Sequence, residues 1–299
     1  MFNNEGRFEI EDFGRKTTFA SFLPGISGKY GIPIWCHYVN RGQCITSFGI
    51  KDKDHAIMEF FPAHQAYQNT KKLGFRTFLK KDGKYIEPFT DENKLKKMII
   101  GMNELEIIEI DDENKVETKV HYCTLPNERV GALLRKVTIK NTDSVDATFE
   151  IIDGMPALIP YGVNMGSMKN MGQTCKAWMQ VEDLDKKSPY YRVRVSMEDT
   201  ATVTEVVAGN FGFSITEDGE ILAPIVEAEL VFDYDTTLDR AEGFSRRKLD
   251  ELLLEKQVTE NNLPCCFFAK KAYLKAGEAI TIYEVFGQVE SKEVLSLFT

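Results

Sequence analysis

The sequence predicts a mainly β protein whose sheets close as a sandwich or barrel. Three observations predict it. β-branched and aromatic residues alternate with charged ones over many short runs. Turn dipeptides containing Gly separate those runs, and stretches with helical spacing are few.

The strand runs begin with residues 97–111 (KMIIGMNELEIIEID), 115–123 (KVETKVHYC) and 133–141 (LLRKVTIKN). In the last of these, Val137 and Ile139 share one face. Residues 190–197, 227–233, 265–274 and 279–289 continue the pattern. Asp82-Gly83, Asp218-Gly219 and Gly277-Glu278 mark turns at which Gly supplies the positive φ of a tight hairpin. Many antiparallel hairpins follow. Two helix candidates interrupt them: residues 165–179, a short helix or irregular segment, and 245–257 (SRRKLDELLLEKQ). The second has Ser245 as a cap and Leu249, Leu252 and Leu253 at helical spacing. Residues 291–298 (SKEVLSLF) read as the start of a further helix. No repeat and no Pro-, Gly- or Ser-rich linker divides the chain, so residues 1–290 read as one β domain. Residues 291–299 then read as the opening of a linker helix in a longer parent.

With 43% hydrophobic and 28% charged residues in 299, the chain can bury a large core. A formal net charge of −9 and the lack of a dense Lys/Arg cluster argue against a nucleic-acid partner. The opening MFNNEGRFEIEDFG is neither a secretory signal nor a transit peptide, and no apolar run is long enough for a bilayer. A cytoplasmic location without a membrane partner is the expectation. Six cysteines without C-x-x-C spacing read as reduced, buried thiols, not as a zinc site or disulfide framework. Cys36 and Cys44 straddle Asn40-Arg41-Gly42, while Cys265 and Cys266 point to opposite faces of a strand.

The familiar chemical motifs fail on inspection. Residues 25–30 (GISGKY) lack both the glycine spacing of a phosphate loop and the Ser or Thr after its Lys. Asp233, Asp235 and Asp239 resemble a calcium loop, but Leu238 and Phe244 stand where that loop needs Gly and Glu, so a solvated acidic turn is expected. No Gly-x-Ser-x-Gly or His-Glu-x-x-His is present. His37, His55, His64 and His121 are the acid–base candidates, and spacing alone does not bring them together. Nothing calls for a metal or a cofactor. The densest polar–aromatic stretches are residues 35–43 (WCHYVNRGQ) and 52–68 (DKDHAIMEFFPAHQAYQ). Ring faces beside Asn, Arg and Gln suit a sugar, whose C–H groups pack on rings while its hydroxyls take planar hydrogen bonds. The same composition also suits a core of Trp35, Tyr38, Phe60 and Phe61 with polar turns.

Residues 19–68, continuing into 73–80 (LGFRTFLK), resemble the start of 1,2-β-oligoglucan phosphorylases. A second block, 155–164 (MPALIPYGVN) with Lys176-Ala177-Trp178-Met179, resembles them also. These enzymes group with the cellobiose-phosphorylase-like members of glycoside hydrolase family 94, and the resemblance runs from about Phe8 to the last residues. It implies an N-terminal β-super-sandwich of galactose-mutarotase-like type with a few short helices, followed in the parent by a linker and an (α/α)6 barrel. In such a parent, phosphate attacks the anomeric carbon of a β-1,2-linked gluco-oligosaccharide with inversion, and a barrel Asp protonates the leaving oxygen. No catalytic residue is then expected in this chain. The resemblance implies a supporting role against its own barrel, in a possible homodimer, with Tyr161, Asn164, Asn40, Arg41 and Gln43 as candidate substrate-binding residues. Arg41 is equally suited to the domain interface. A free-standing carbohydrate-binding module, an aldose mutarotase, and the front domain of a related transglycosylase or hydrolase are the alternatives.

Overall fold

A computed structural model describes residues 1–25, 30, 32–198 and 200–298. Most of the 25–30 stretch and Thr299 lie outside the described residues. The first half of the chain contributes β1 (Phe8–Glu11), β2 (Ala20–Leu23), β3 (Ile34–Val39), β4 (Ile45–Ile50), β5 (Ala56–Met58), helix α1 (Ala63–Leu73), β6 (Arg76–Lys81), β7 (Lys84–Ile86), β8 (Leu95–Ile100), β9 (Glu104–Asp111), β10 (Val116–Thr124), β11 (Gly131–Asn141) and β12 (Ala147–Met155). The second half adds α2 (Met165–Cys175), β13 (Met179–Glu182), β14 (Tyr190–Val193), β15 (Gly209–Thr216), β16 (Ala223–Ile225), α3 (Ala228–Phe232), α4 (Glu242–Arg246), α5 (Leu249–Leu254), β17 (Cys266–Leu274), β18 (Ala279–Val289) and α6 (Lys292–Phe298).

The strands form three antiparallel sheets. The largest runs β1-β8-β9-β10-β11-β18-β15-β14-β13, the second β16-β17-β12-β6-β7, and the third β2-β3-β4-β5. Alternation sets the faces: β10 reads buried and half-buried by turns from Val116 to Thr124. Its inward Val120 and Tyr122 meet Val137 and Ile139 of β11, Ile151 of β12 and Phe48 of β4 in one core that all three sheets share. The five-stranded sheet is covered on its other face too. Phe78, Ile152 and Phe267 pack there against Phe232, Phe244, Leu249 and Leu252 of α3, α4 and α5. This two-sided burial explains the nearly continuous apolar opening of β17. Cys265 falls in the helix-side core and Cys266 in the shared one, on opposite faces as expected. All six cysteines are free. Gly83, Gly219 and Gly277 adopt φ of +85°, +85° and +77°, as their hairpins require.

Three local expectations are corrected. Residues 227–233 form α3 and not a strand, because Val231 and Phe232 must both turn onto the five-stranded sheet. The helix expected over 245–257 is two short ones, broken where Arg247 and Lys248 are extended. The cause is tertiary: Lys80 is buried, and its ammonium takes Glu150 at 2.7 Å and the Arg247 carbonyl at 2.6 Å. Ser245 accordingly sits inside α4 and caps nothing. Helix α1 carries no side-chain cap, Pro62 standing at that position, and gave no sequence signal for a start. Asp235, by contrast, behaves as a solvated turn. Its oxygens accept from the Thr237, Asp239 and Arg240 amides and the Thr237 hydroxyl, which hold its carboxyl down at about 2.

Candidate functional site

The four-stranded sheet ends in a tight polar connection between β4 and β5. Asp52 turns it, accepting the Asp54 amide at 2.9 Å and facing His55 Nδ1 at 2.7 Å. That bond to the imidazole is the main reason the Asp52 carboxyl lies below its ordinary range. Trp35, near the start of β3, donates its indole N–H to the Asp52 carbonyl at 2.9 Å, which lays its ring beside the turn. The second element is the PYGVN turn. Tyr161 places its ring 5.7 Å from that of His55 at 43°. Asn164 caps α2 by accepting the Ser167 amide at 2.8 Å, and Asp54 accepts the Met165 amide at 3.2 Å. Lys169, further along α2, donates to the Phe60 carbonyl at 2.7 Å and stands 4.8 Å over the Phe61 ring. Beneath them Ala56, Ile159, Val163, Met165 and Met179 make a separate apolar cluster against Trp35 and Trp178. Two segments about a hundred residues apart in sequence thus share one corner.

The corner presents rings edged with a carboxylate, an imidazole and an amide. His37 lies 5.8 Å from Trp35 and 5.9 Å from Phe60, ring to ring, and burial lowers its pKa. Tyr161 is half-buried; desolvation, then the charges of Asp52 and Glu290, raise its pKa and keep its hydroxyl a donor. Such a set can stack on the C–H face of a sugar while donating to and accepting from its hydroxyls. Among the described residues no group of three His, Cys, Asp or Glu side chains is placed to hold a metal ion.

Tyr161 and Asn164 belong to this corner. Asn40, Arg41 and Gln43 do not. Six-residue β3 separates Trp35 from Asn40, a run of about 16 Å at a strand's rise. Asn40 is buried and fully engaged: it accepts the Phe19 amide at 3.0 Å and donates to the Phe13 and Thr17 carbonyls, each at 3.0 Å. Arg41 donates to the Asn40 carbonyl at 2.6 Å and the Lys16 carbonyl at 3.1 Å. Gln43 reaches into the core, where its Nε2 donates to Thr77 at 2.9 Å and its Oε1 accepts from Arg135.

Arg135 is the centre of a fully buried polar network. Its guanidinium bonds Asp153, Glu284 at 2.6 Å and Thr77 at 3.3 Å, and lies 5.0 Å over the Phe75 ring. Tyr122 donates to the Gln43 carbonyl at 2.8 Å, and Thr77 to Asp153 at 2.6 Å. One cation thus faces two carboxylates away from bulk solvent. Desolvation and then repulsion from Asp153 push Glu284 up to about 8. With both carboxylates at 0% exposure, this network holds the fold and meets no substrate.

Asp52 and Asp54 carry no catalytic or metal motif, but their Asp-x-Asp-His spacing is the signal of a side-chain-capped turn. Among the described residues no helix is long and apolar enough to cross a membrane. No family model matches the chain, and no curated protein matches it. Solved structures with a remote likeness include two. A polysaccharide lyase has 9% identity and a TM-score of 0.45, over 87% of this chain and 33% of that one. A protein described as a kojibiose phosphorylase, from the human microbiome, has 8% identity and a TM-score of 0.35, over 91% and 25%. The chain spans about a third and a quarter of their lengths. Likenesses this remote carry no function across.

Proposed function

We propose that this chain is the non-catalytic N-terminal β-sandwich of an inverting β-1,2-gluco-oligosaccharide phosphorylase, packed on the parent's (α/α)6 barrel. One observation carries the reading. Of the stretches that bear the family resemblance, 19–68 with 73–80 and 155–164 with 176–179, the parts around Trp35, His55, Tyr161 and Trp178 meet at one corner, while Gln43 and residues 75–79 enter the core. In this reading Tyr161 and Asn164 face the sugar, Trp35 and His55 beside them. Asn40 and Gln43 hold the turn that offers Arg41 to the barrel. Phosphate is the nucleophile, so the displacement needs only a general acid, which the barrel supplies. Six free thiols suit a reducing, cytoplasmic setting.

The same corner also supports a free-standing carbohydrate-binding module, or the front of a related transglycosylase or hydrolase. Release of glucose 1-phosphate from sophorose-type oligosaccharides and phosphate separates them. The expected result is activity in the barrel-bearing parent and none in the 299-residue chain. Hydrolysis or transfer without phosphate by the parent assigns the related reaction instead, and phosphorolysis by the chain alone would overturn the non-catalytic role.

A further inference from the structure

A crevice of about 130 Å3 lies where the end of α1, the segment leaving β5, residues 157–159 after β12, α2 and the approach to β17 meet. Phe61, Leu73, Ala157, Met168 and Leu263 line it and are half-buried, and the surface that the lining leaves accessible is almost all apolar. A ligand can therefore reach these walls. The polar groups beside them are largely spoken for. Lys169 pairs with Glu59 at 3.3 Å, and the Thr70 hydroxyl donates to the Ala66 carbonyl at 2.5 Å. The Lys169 ammonium also donates to the Phe60 carbonyl at 2.7 Å, which ties the segment after β5 to α2 and so holds two of the walls apart at a set distance. Apolar hollows of this kind stay dry, and one of about 150 Å3 lined by Leu, Ile and Phe takes up benzene. Walls that face empty space forfeit dispersion contacts, which an apolar group of matching size restores.

We infer that this crevice binds one neutral apolar ring of benzene size. An ion would lose its hydration among these side chains without a partner to replace it. A sugar ring would find too few free donors and acceptors for its hydroxyls. The ring-and-amide corner around Tyr161 suits a sugar; the crevice suits what a sugar is not, although the two share the 59–61 segment and α2. The crevice is separate from the proposed phosphorylase role and needs no barrel.

The test is titration of the 299-residue chain with benzene and, separately, with benzoate, followed by NMR at the methyl groups of Leu73, Met168 and Leu263. Benzene is expected to shift all three saturably, with a dissociation constant of about 1 mM or tighter, and benzoate to shift none. Ala157→Leu and Met168→Trp each add volume to the crevice. Each is expected to weaken benzene binding, read at the leucine methyls, by about tenfold or more, at a melting temperature no lower than that of the wild type. Absence of shifts at these methyls, benzoate binding as well as benzene does, or undiminished benzene binding in a filled variant that folds overturns the inference. Should both variants fail to fold, the contrast between benzene and benzoate on the wild-type chain decides it. Phosphorolysis enters none of these readouts, so a dry, unresponsive crevice leaves the proposed function standing, and an inactive parent leaves the crevice standing.

Discussion

Replacing Glu284 by Gln tests whether the core network stores a proton. In the folded protein burial and Asp153 raise the Glu284 carboxyl to about 8, whereas an unfolded chain ionises it near its ordinary value of 4.5. The unfolded state therefore releases this proton first. The stability it supports is full below pH 4.5, falls as pH rises, and is gone above about 8. A separation of that size corresponds to roughly 5 kcal/mol in total, and to roughly 3–4 kcal/mol between pH 5 and pH 8. The amide of Glu284→Gln cannot ionise, and it can donate where the protonated carboxyl did. Urea titrations of both proteins at half-unit steps from pH 5 to 9 give the difference, in which titrating groups away from the Arg135 network cancel. The variant is expected to be close to wild type at pH 5 and to gain on it by roughly 3–4 kcal/mol by pH 8. A difference that is flat with pH would show that Glu284 is ionised throughout and that Arg135 neutralises both carboxylates.

Four further outcomes follow from the same geometry. Arg135→Met strands Asp153 in the core and is expected to cost roughly 3–5 kcal/mol by denaturant titration, partly restored by adding Asp153→Asn. Asn40→Ala releases the 13–19 segment from its three pins, costing about 2 kcal/mol and opening that segment to limited proteolysis. Gly154→Ala puts a Cβ 2.1 Å from the Cys266 carbonyl at φ +141° and is expected to lower stability by roughly 3 kcal/mol or more, read as a fall in melting temperature. On the proposed phosphorylase reading, Tyr161→Phe in a barrel-bearing parent is expected to reduce kcat/KM for phosphorolysis about tenfold, the loss of one hydrogen bond, at unchanged melting temperature.

Elements with a two-residue period were legible because the central strands of the large sheet, β9 to β11, bury one face along most of their length, unlike β14, where adjacent Tyr190 and Tyr191 are both buried. Val137 and Ile139 declare that face in the sequence itself, and the Gly turns fix where the strands stop. What failed did so for tertiary reasons. Nothing in residues 245–257 announces that Lys80, more than 160 positions earlier, will claim the Arg247 carbonyl. α3 is five residues long, too short for its apolar spacing to tell helix from strand. The candidate site was half legible for a related reason. Residues 35–43 look like one polar–aromatic unit, yet a strand delivers its two ends to different places: Trp35 to the surface corner, Gln43 to the core.

The buried network explains why that strand end is so firmly placed. Arg135, Glu284, Thr77 and Asp153 lie on β11, β18, β6 and β12, and Tyr122 on β10, so one guanidinium ties two sheets together and joins β6 and β18 to the consecutive strands β10 to β12. Slipping β11 by one residue against β18 would turn Arg135 to the outer face and leave two carboxylates in the core without a cation. Gln43 brings the β3–β4 turn into the same arrangement by accepting from Arg135 and by taking the Tyr122 hydroxyl on its carbonyl. The four-stranded sheet is thereby held in register with the large one. Because β3 and β4 run from that turn to Trp35 and to the Asp52 connection, an anchor at one end of the strands sets the position of the corner at the other.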